Sequence, residues 1–262
     1  MELNTTNAEL FVHWVNERMR VLHARNSGTK PPWSIDPILN NHHFCNVHRQ
    51  HDRVTKELNV VASGLELDLC ELPSFWTAAR MFNHPESVLT FWKGGVQAVQ
   101  QRRFHDQKIF NTAYVVSTCG KSMDKIAYVD MVVNAVENAL IGNMSCADTF
   151  KDLRTVDGLG SFMCGQIIAD LKYTPYLADA PDWDSFAVMG PGSQKGMNLL
   201  VGAGTTERNF MDRLTFVREI LDPELPRMHN QDFQNCLCEF SKYMRYKFNL
   251  PGRRRPYVQS KK

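Results

Sequence analysis

Four stretches of this 262-residue chain gather the residue types that polar chemistry needs. The first, "PPWSIDPILNNHHFCNVHRQHDRVTKEL" over residues 31–58, is a Pro–Trp turn running into a segment dense in Asn, His, Arg and Asp. Placed on one helix from Asn40 to Leu58 at about 100° per residue, Phe44, Val47, His51, Val54 and Leu58 form a buried face. His42, Asn46, Arg49 and Arg53 then fall within about 60° of one another on the opposite side. Such a set can act together on one object, with Asp52 beside it to hold a guanidinium or take a proton. A solvated polar face would give the same pattern, and His51 in the apolar stripe reads as a core histidine and not as a ligand.

The second stretch, "DTFKDLRTVDGLGSFMCGQIIADLKY" over residues 148–173, predicts two helices joined at Gly158-Leu159-Gly160, with Phe162, Ile167, Ile168 and Leu171 facing inward. Glycines permit a tight turn and bare the backbone N–H groups at a helix start, which suits a DNA phosphate; a plain structural hairpin needs the same residues. The third, "DAPDWDSFAVMGPGSQKGMNLL" over residues 179–200, sets Asp182 and Asp184 around Trp183. It then passes through Gly190-Pro191-Gly192 into a short helix begun by Ser193, with Lys195 in its first turn. An aromatic beside carboxylates can stack on a base with a proton acceptor near it, and the glycine loop can cradle phosphate oxygens. The spacing is not that of a Walker A loop, and a surface loop capped by aspartates remains open. In the fourth, "NCLCEFSKYMRYKFN" over residues 235–249, Glu239 and Lys242 stand three residues apart while Phe240, Tyr243 and Met244 pack inward. That pair is equally a surface ion pair or a catalytic acid and its partner.

Helices must position all four. Leu10, Trp14, Val15, Met19 and Leu22 make one apolar stripe. Val129, Val132, Val133, Val136 and Leu140 make another. "RNFMDRLTFVREIL" and "DFQNCLCEFSKYMRYKF" carry the same period. Strand signals are few, and Pro and Gly punctuate at Pro31-Pro32, Gly94-Gly95, Gly158 to Gly160, Gly190 to Gly192 and Pro223 to Pro226. An all-α domain with two lobes of short helices over residues 1–250, followed by a basic tail over 251–262, is the architecture expected.

With 43% hydrophobic residues and a formal charge of +2, the chain is an ordinary globular one whose basic surface, if it binds nucleic acid, is local. Seven scattered cysteines without a C-x-x-C pair speak against a zinc ribbon or a redox dithiol and for a reducing compartment. Neither a secretory leader nor a membrane span is expected, so a cytoplasmic location follows, host cytoplasm if the gene is a phage's.

In order along the chain, "PPWSIDPIL", "FCNVHRQHDRVT", "GLGSFMCGQIIADLKYT", "DSFAVMGPGSQKG" and "LCEFSKYMR" resemble the phage α-glutamyl/putrescinyl-thymine pyrophosphorylases. That family of amino acid:DNA transferases shares a module with the helical domain of some 5-hydroxymethyl-deoxyuridine DNA kinases. The resemblance implies a fold like that of helix-hairpin-helix DNA glycosylases, in which a catalytic aspartate follows the hairpin glycines at a spacing near that of Asp182 and Asp184 from Gly160. The hairpin lysine of bifunctional glycosylases and the four-cysteine iron–sulfur cluster are missing, so a scaffold that flips a base for other chemistry fits better than base excision.

The resemblance further implies DNA carrying 5-(pyrophosphoryloxymethyl)uracil as substrate, an amino acid or polyamine as nucleophile, and a 5-hydroxymethyl-deoxyuridine DNA kinase as a possible partner. In that scheme Arg49, Arg53, Lys195 and the Gly190 to Gly192 amides hold phosphate. Asp184, with Asp182 or Glu239 as substitutes, serves as base or grips the incoming ammonium; Asn46 and Trp183 read or stack the base, Asp52 supports the arginines, and Gly158 and Gly160 meet the DNA backbone. The resemblance fixes no cofactor, and Mg2+ is the ion that could accompany pyrophosphate. A glycosylase on a modified thymine, or a DNA-binding helical module that recruits another enzyme, are the alternatives.

Overall fold

The computed structural model describes residues 1–111, 116–139, 141–142 and 144–251. Leu140 of the expected valine stripe and residues 252–262 of the expected tail lie outside the described residues. The fold is all-helical. In chain order the α-helices are α1 (Thr5–Asn26), α2 (Pro37–Asn41), α3 (Arg53–Ser63), α4 (Leu72–Phe82), α5 (Pro85–Phe104), α6 (Lys125–Glu137), α7 (Cys146–Thr155), α8 (Ser161–Leu171), α9 (Pro191–Val201), α10 (Phe210–Leu221) and α11 (Asn230–Lys247). The chain divides into two compact units, Met1–His48 with Ala187–Lys262, and Arg49–Phe186.

In the first unit α1, α2, α9, α10 and α11 share one core built on Phe11, Trp14, Val15, Met197, Leu214, Val217, Phe233 and Phe240. The α1 stripe is as expected, with Trp14, Val15 and Leu22 buried and Leu10 and Met19 half-buried. Helix α9 starts at Pro191, where a fixed φ suits the first turn and no N–H is lost. It lies close against α11 because Gly192 and Gly196, four residues apart, present no side chain there. A Cβ on Gly192 would stand 2.2 Å from Cys238 Sγ, and one on Gly196 2.1 Å from the Leu237 carbonyl oxygen. The third stretch therefore owes at least part of its glycine content to helix packing.

In the second unit α4 is central. All eleven of its residues are buried, and it packs against α5, α6 and α8. It ends at Asn83 in a left-handed conformation (φ 48), and α5 is kinked at Gly95. The valines of α6 fill the core with Leu153, Cys164, Ile167, Ile168 and Leu171 of α7 and α8. The α7–α8 turn is the expected tight one. Gly158 has φ +98, and a Cβ there would meet Val132 Cγ2 at 2.7 Å and the Tyr128 hydroxyl at 2.8 Å, so both conformation and space call for glycine. Phe162 corrects the expectation: it is 46% exposed, because at the second position of α8 it precedes the turn that carries the buried Cys164, Ile167 and Ile168.

The largest correction concerns residues 40–58, which do not form one helix. Helix α2 stops at Asn41; a 3-10 turn covers Arg49–His51, and α3 starts only at Arg53 with Asp52 as its extended N-cap. Asn40 bonds the Ser34 backbone through both ends of its amide, a local alternative to helix of the kind Asn offers. His42 follows in an extended conformation. Phe44 and Val47 are buried in the first unit, Leu58 is buried in the second, Val54 is half-buried there and His51 is half-buried in the 3-10 turn, so they share no helix face.

Candidate functional site

The segment from His42 to His48 runs along α11, antiparallel to it, and its polar residues hold it there. The His42 ring stacks on Tyr246 at 3.8 Å between centroids. The Lys242 ammonium donates to the His43 carbonyl and, at 3.1 Å, to Glu239. Cys45 N–H donates to Glu239 Oε2 at 3.0 Å, Asn235 Nδ2 to the Asn46 carbonyl at 3.5 Å, and His48 Nδ1 lies 3.0 Å from Asp232 Oδ2. From Asp232 to Tyr246 a helix rises about 21 Å, and six extended residue steps cover about 20 Å, so the strap and the helix match in length. On its other side the buried Arg18 of α1 donates to the Phe44 and Cys45 carbonyls and to Asn46 Oδ1, each at 3.3 Å. Of the four polar residues that a helical wheel puts on one face, His42 and Asn46 thus serve to fasten a non-helical strap, and Glu239, a possible acid by its spacing, holds a backbone amide of that strap.

The strap ends in a buried cluster at the start of α11. His229 is the N-cap, and its Nδ1 accepts from the Asp232 N–H at 3.1 Å. Its Nε2 lies 3.2 Å from Asp232 Oδ2, the oxygen that also faces His48. Asn230, Gln231 and Gln234 beside them are buried, and Arg218 of α10 bonds Asn230 Oδ1 at 2.6 Å. His48, Asp232 and His229 were not singled out in the sequence. The available signal was a helix start, "HNQDFQN", too polar for the core position that Phe233 and Leu237 give it.

In the second unit a carboxylate is clamped between two guanidiniums. Asp170 of α8 is fully buried; Arg49 reaches it through Nε and Nη2, both at 3.2 Å, and Arg80 of α4 through Nη2 at 2.6 Å and through Nε. Gln166 takes Arg49 Nη1 at 2.9 Å, while Asn83 and Thr55 take Arg80 at 3.0 and 2.9 Å. Burial pushes the Asp170 carboxyl up, but the charges of Arg49 and Arg80 and their hydrogen bonds outweigh it and hold it below the usual carboxylate range. Two guanidiniums thus share one carboxylate, and Arg49, with 13% of its side chain exposed against 2% for Arg80, is the member nearer solvent. Arg80 and Asp170 were missed although each is the single charge of a helix otherwise free of charge, "LPSFWTAARMF" and "SFMCGQIIADL".

The remaining expected residues are dispersed. Arg53 is 77% exposed and lies 3.7 Å from Glu57, one helical turn on. Asp182 accepts from the Cys146 and Ala147 N–H groups at 2.7 and 2.9 Å, so it caps α7. Burial, then the Asp182 charge, push the Cys146 thiol up to about 12, which leaves it protonated and unreactive at neutral pH. Trp183 donates its indole N–H to the Lys172 carbonyl at 2.7 Å, and the Lys172 ammonium sits 4.4 Å from its ring centroid. Asp184 is exposed, as is Lys195 in α9. The Gly190 N–H is taken by Ser193 Oγ at 2.9 Å, so the expected phosphate cradle has one of its amides already engaged in capping. Among the described residues, no group of three or more His, Cys, Asp or Glu side chains is placed to hold a metal ion. Nor is any helix there long and apolar enough to cross a membrane.

Residues 5–250 match the family described as 5-hmdU DNA kinase, helical domain. A curated relative, the 5-hmdU DNA kinase of Bacillus phage SP10, is 23% identical over 88% of this chain and 44% of its own length. The chain therefore spans less than half of that relative. No solved structure matches it.

Proposed function

The chain belongs to the family of the 5-hmdU DNA kinase helical domain, and from that membership we propose that it takes part in thymine hypermodification, acting on DNA that carries 5-substituted uracil. The finer reading is a transferase that displaces pyrophosphate from 5-(pyrophosphoryloxymethyl)uracil and attaches an amino acid or polyamine. The observation that carries it is the gathering of two guanidiniums, Arg49 and Arg80, on the one buried carboxylate of Asp170. A guanidinium whose plane is fixed by a bidentate carboxylate, and which shares that carboxylate with a second guanidinium, suits a departing polyanion. Preorganised charge of this kind costs no reorganisation as the C–O bond breaks and the oxygen gains charge. Lys195, exposed on α9, is a further cation for the same role, and Asp184 is the exposed carboxylate of the 182–184 group. The α7–α8 turn is proposed to meet the DNA backbone through Gly158 and Gly160. Any Mg2+ would come with the pyrophosphate.

A second reading has its own support. The relative is named a kinase, and this chain corresponds to under half of it, so a DNA-binding module that serves a separate modification enzyme is consistent with the match. Purified protein incubated with pyrophosphorylated DNA, with and without a mixture of amino acids and polyamines, separates the two. The transferase reading expects amine-dependent release of inorganic pyrophosphate, whereas salt-sensitive DNA binding without any release would leave the binding module.

A further inference from the structure

We propose that a cavity in the second unit, walled by α3, α4 and the segment after α8, binds an aliphatic diamine or polyamine, with Glu66 holding one ammonium at its mouth. That this amine is the incoming nucleophile rests on the transferase reading; that it binds here does not. The cavity measures about 500 Å³, within the range of small-molecule sites. Its floor is apolar, made by the buried Leu72 and Trp76 of α4, and Leu67 and Tyr173 add to the walls. Glu66 is exposed, and among the described residues that line the cavity there is no Lys, Arg, His or Asp. A single carboxylate over apolar and aromatic walls matches a cation carried on a hydrocarbon stem. An amino acid would bring its own carboxylate to a site with no cation to meet it, and a nucleotide would set a phosphate beside Glu66, so a simple amine is the better complement.

The polar lining is available to a ligand. Among the described residues none bonds the side chains of Asn59, Ser63 or Glu66, so an amide, a hydroxyl and a carboxylate can all accept from an ammonium. Glu66 also sits at φ 49, a left-handed conformation that disfavours any residue with a side chain and that recurs at ligand sites. The cavity adjoins the guanidinium cluster element by element. Asn59 follows Thr55 by four residues on α3, Trp76 precedes Arg80 by four on α4, and Thr174 follows Asp170 by four beyond the end of α8; Thr55 and Asp170 are the residues that bond Arg80. Four helical residues rise about 6 Å, and the Arg80 guanidinium lies 5.9 Å from the Trp76 ring centroid. Positive charge nearby disfavours the protonated form of an amine. Of the two ends of a bound diamine, the one on the cluster side is therefore the one left neutral and nucleophilic, while the other stays an ammonium on Glu66.

The test is calorimetric titration of the full chain with 1,4-diaminobutane at low salt, which needs no turnover. The wild type should bind it at one site, and 4-aminobutanoate, of the same length but with a carboxylate at one end, more weakly. Glu66→Gln keeps the side chain's shape and deletes its charge, so affinity should fall by about tenfold or more. Ser63→Phe, which fills the cavity from an exposed position, should abolish binding. Glu57→Gln removes a carboxylate of α3 that does not line the cavity and should leave binding unchanged. Ser63 and Glu66 are exposed, so the melting curves of their variants should overlay that of the wild type. No binding by the wild type, equal affinity in Glu66→Gln, or 4-aminobutanoate bound as tightly as the diamine overturns the site. Transfer of 1,4-diaminobutane to pyrophosphorylated DNA with an unchanged KM for the amine in Glu66→Gln overturns the site and leaves the transferase reading standing. A wild type that binds the diamine as described but transfers none overturns the transferase reading and leaves the site standing.

Discussion

Replacing Asp170 with Asn tests whether the buried charge cluster is as tightly built as its geometry implies. Each carboxylate oxygen receives one N–H from Arg49 and one from Arg80, four bonds in all. An amide of the same shape would turn one of those acceptors into a donor facing two donors, and two guanidiniums would face each other in a site with no exposure. Breaking a buried ion pair from one side costs about 3–5 kcal/mol. At roughly 3 °C per kcal/mol the melting temperature of the Arg49–Phe186 unit should fall by roughly 10 °C at neutral pH. The pH dependence supplies a second check. Because the folded-state pKa lies below the unfolded value, the stabilisation is present above about pH 4 and is lost as pH falls through the folded value. The gap between wild type and variant should therefore narrow as acid is added. Thermal melts by circular dichroism from neutral pH into the acid range measure both. A variant that melts within roughly 2 °C of wild type at neutral pH, less than about 1 kcal/mol, would refute the description of Asp170 as the anchor of the cluster.

Gly196→Ala should force α9 off α11, since the new Cβ would lie 2.1 Å from the Leu237 carbonyl oxygen; overpacking of about 1–3 kcal/mol against a helix-propensity gain of up to about 1 predicts a lower urea midpoint. Arg49→Lys keeps the charge but not the planar fork that holds Asp170 and Gln166 together, so pyrophosphate release should fall by roughly tenfold or more while the melting temperature drops less than in Asp170→Asn. Lys195 is exposed, so Lys195→Met should change stability by less than about 0.5 kcal/mol; if its charge meets the leaving group, release slows by about 10²- to 10³-fold.

The helices were legible where apolar residues recur every three or four positions, as in α1, α6, α10 and α11, because burial against a core is what makes such segments helical. The turn at Gly158 was legible because glycine is what its conformation demands. Residues 40–58 were not, for a physical reason: the periodicity of Phe44, Val47, His51, Val54 and Leu58 arises by coincidence from an extended strap, a 3-10 turn and a second helix that feed two different cores. Side-chain bonds from Arg18, Glu239 and Lys242 hold that strap, and they come from residues far away in the chain. Of the candidate site, Arg49 was legible by its residue type alone, since the helix face on which its sequence neighbours would join it does not form. Its partners Arg80 and Asp170 were hidden by the apolar residues around them, although a lone charge in an apolar helix demands a counter-charge. His48, Asp232 and His229 were hidden because their grouping depends on the strap.

If the chain replaces pyrophosphate by an amine on a thymine analogue in DNA, its product can be weighed directly. The decisive measurement is mass spectrometry of nucleosides digested from pyrophosphorylated DNA after incubation with the purified protein and nitrogen-15-labelled amino acids and polyamines. Transfer yields a deoxyuridine nucleoside whose 5-methylene carries the labelled nitrogen, formed in equal amount to the inorganic pyrophosphate released. Unchanged nucleosides, or free modified base with abasic sites in the DNA, would contradict it.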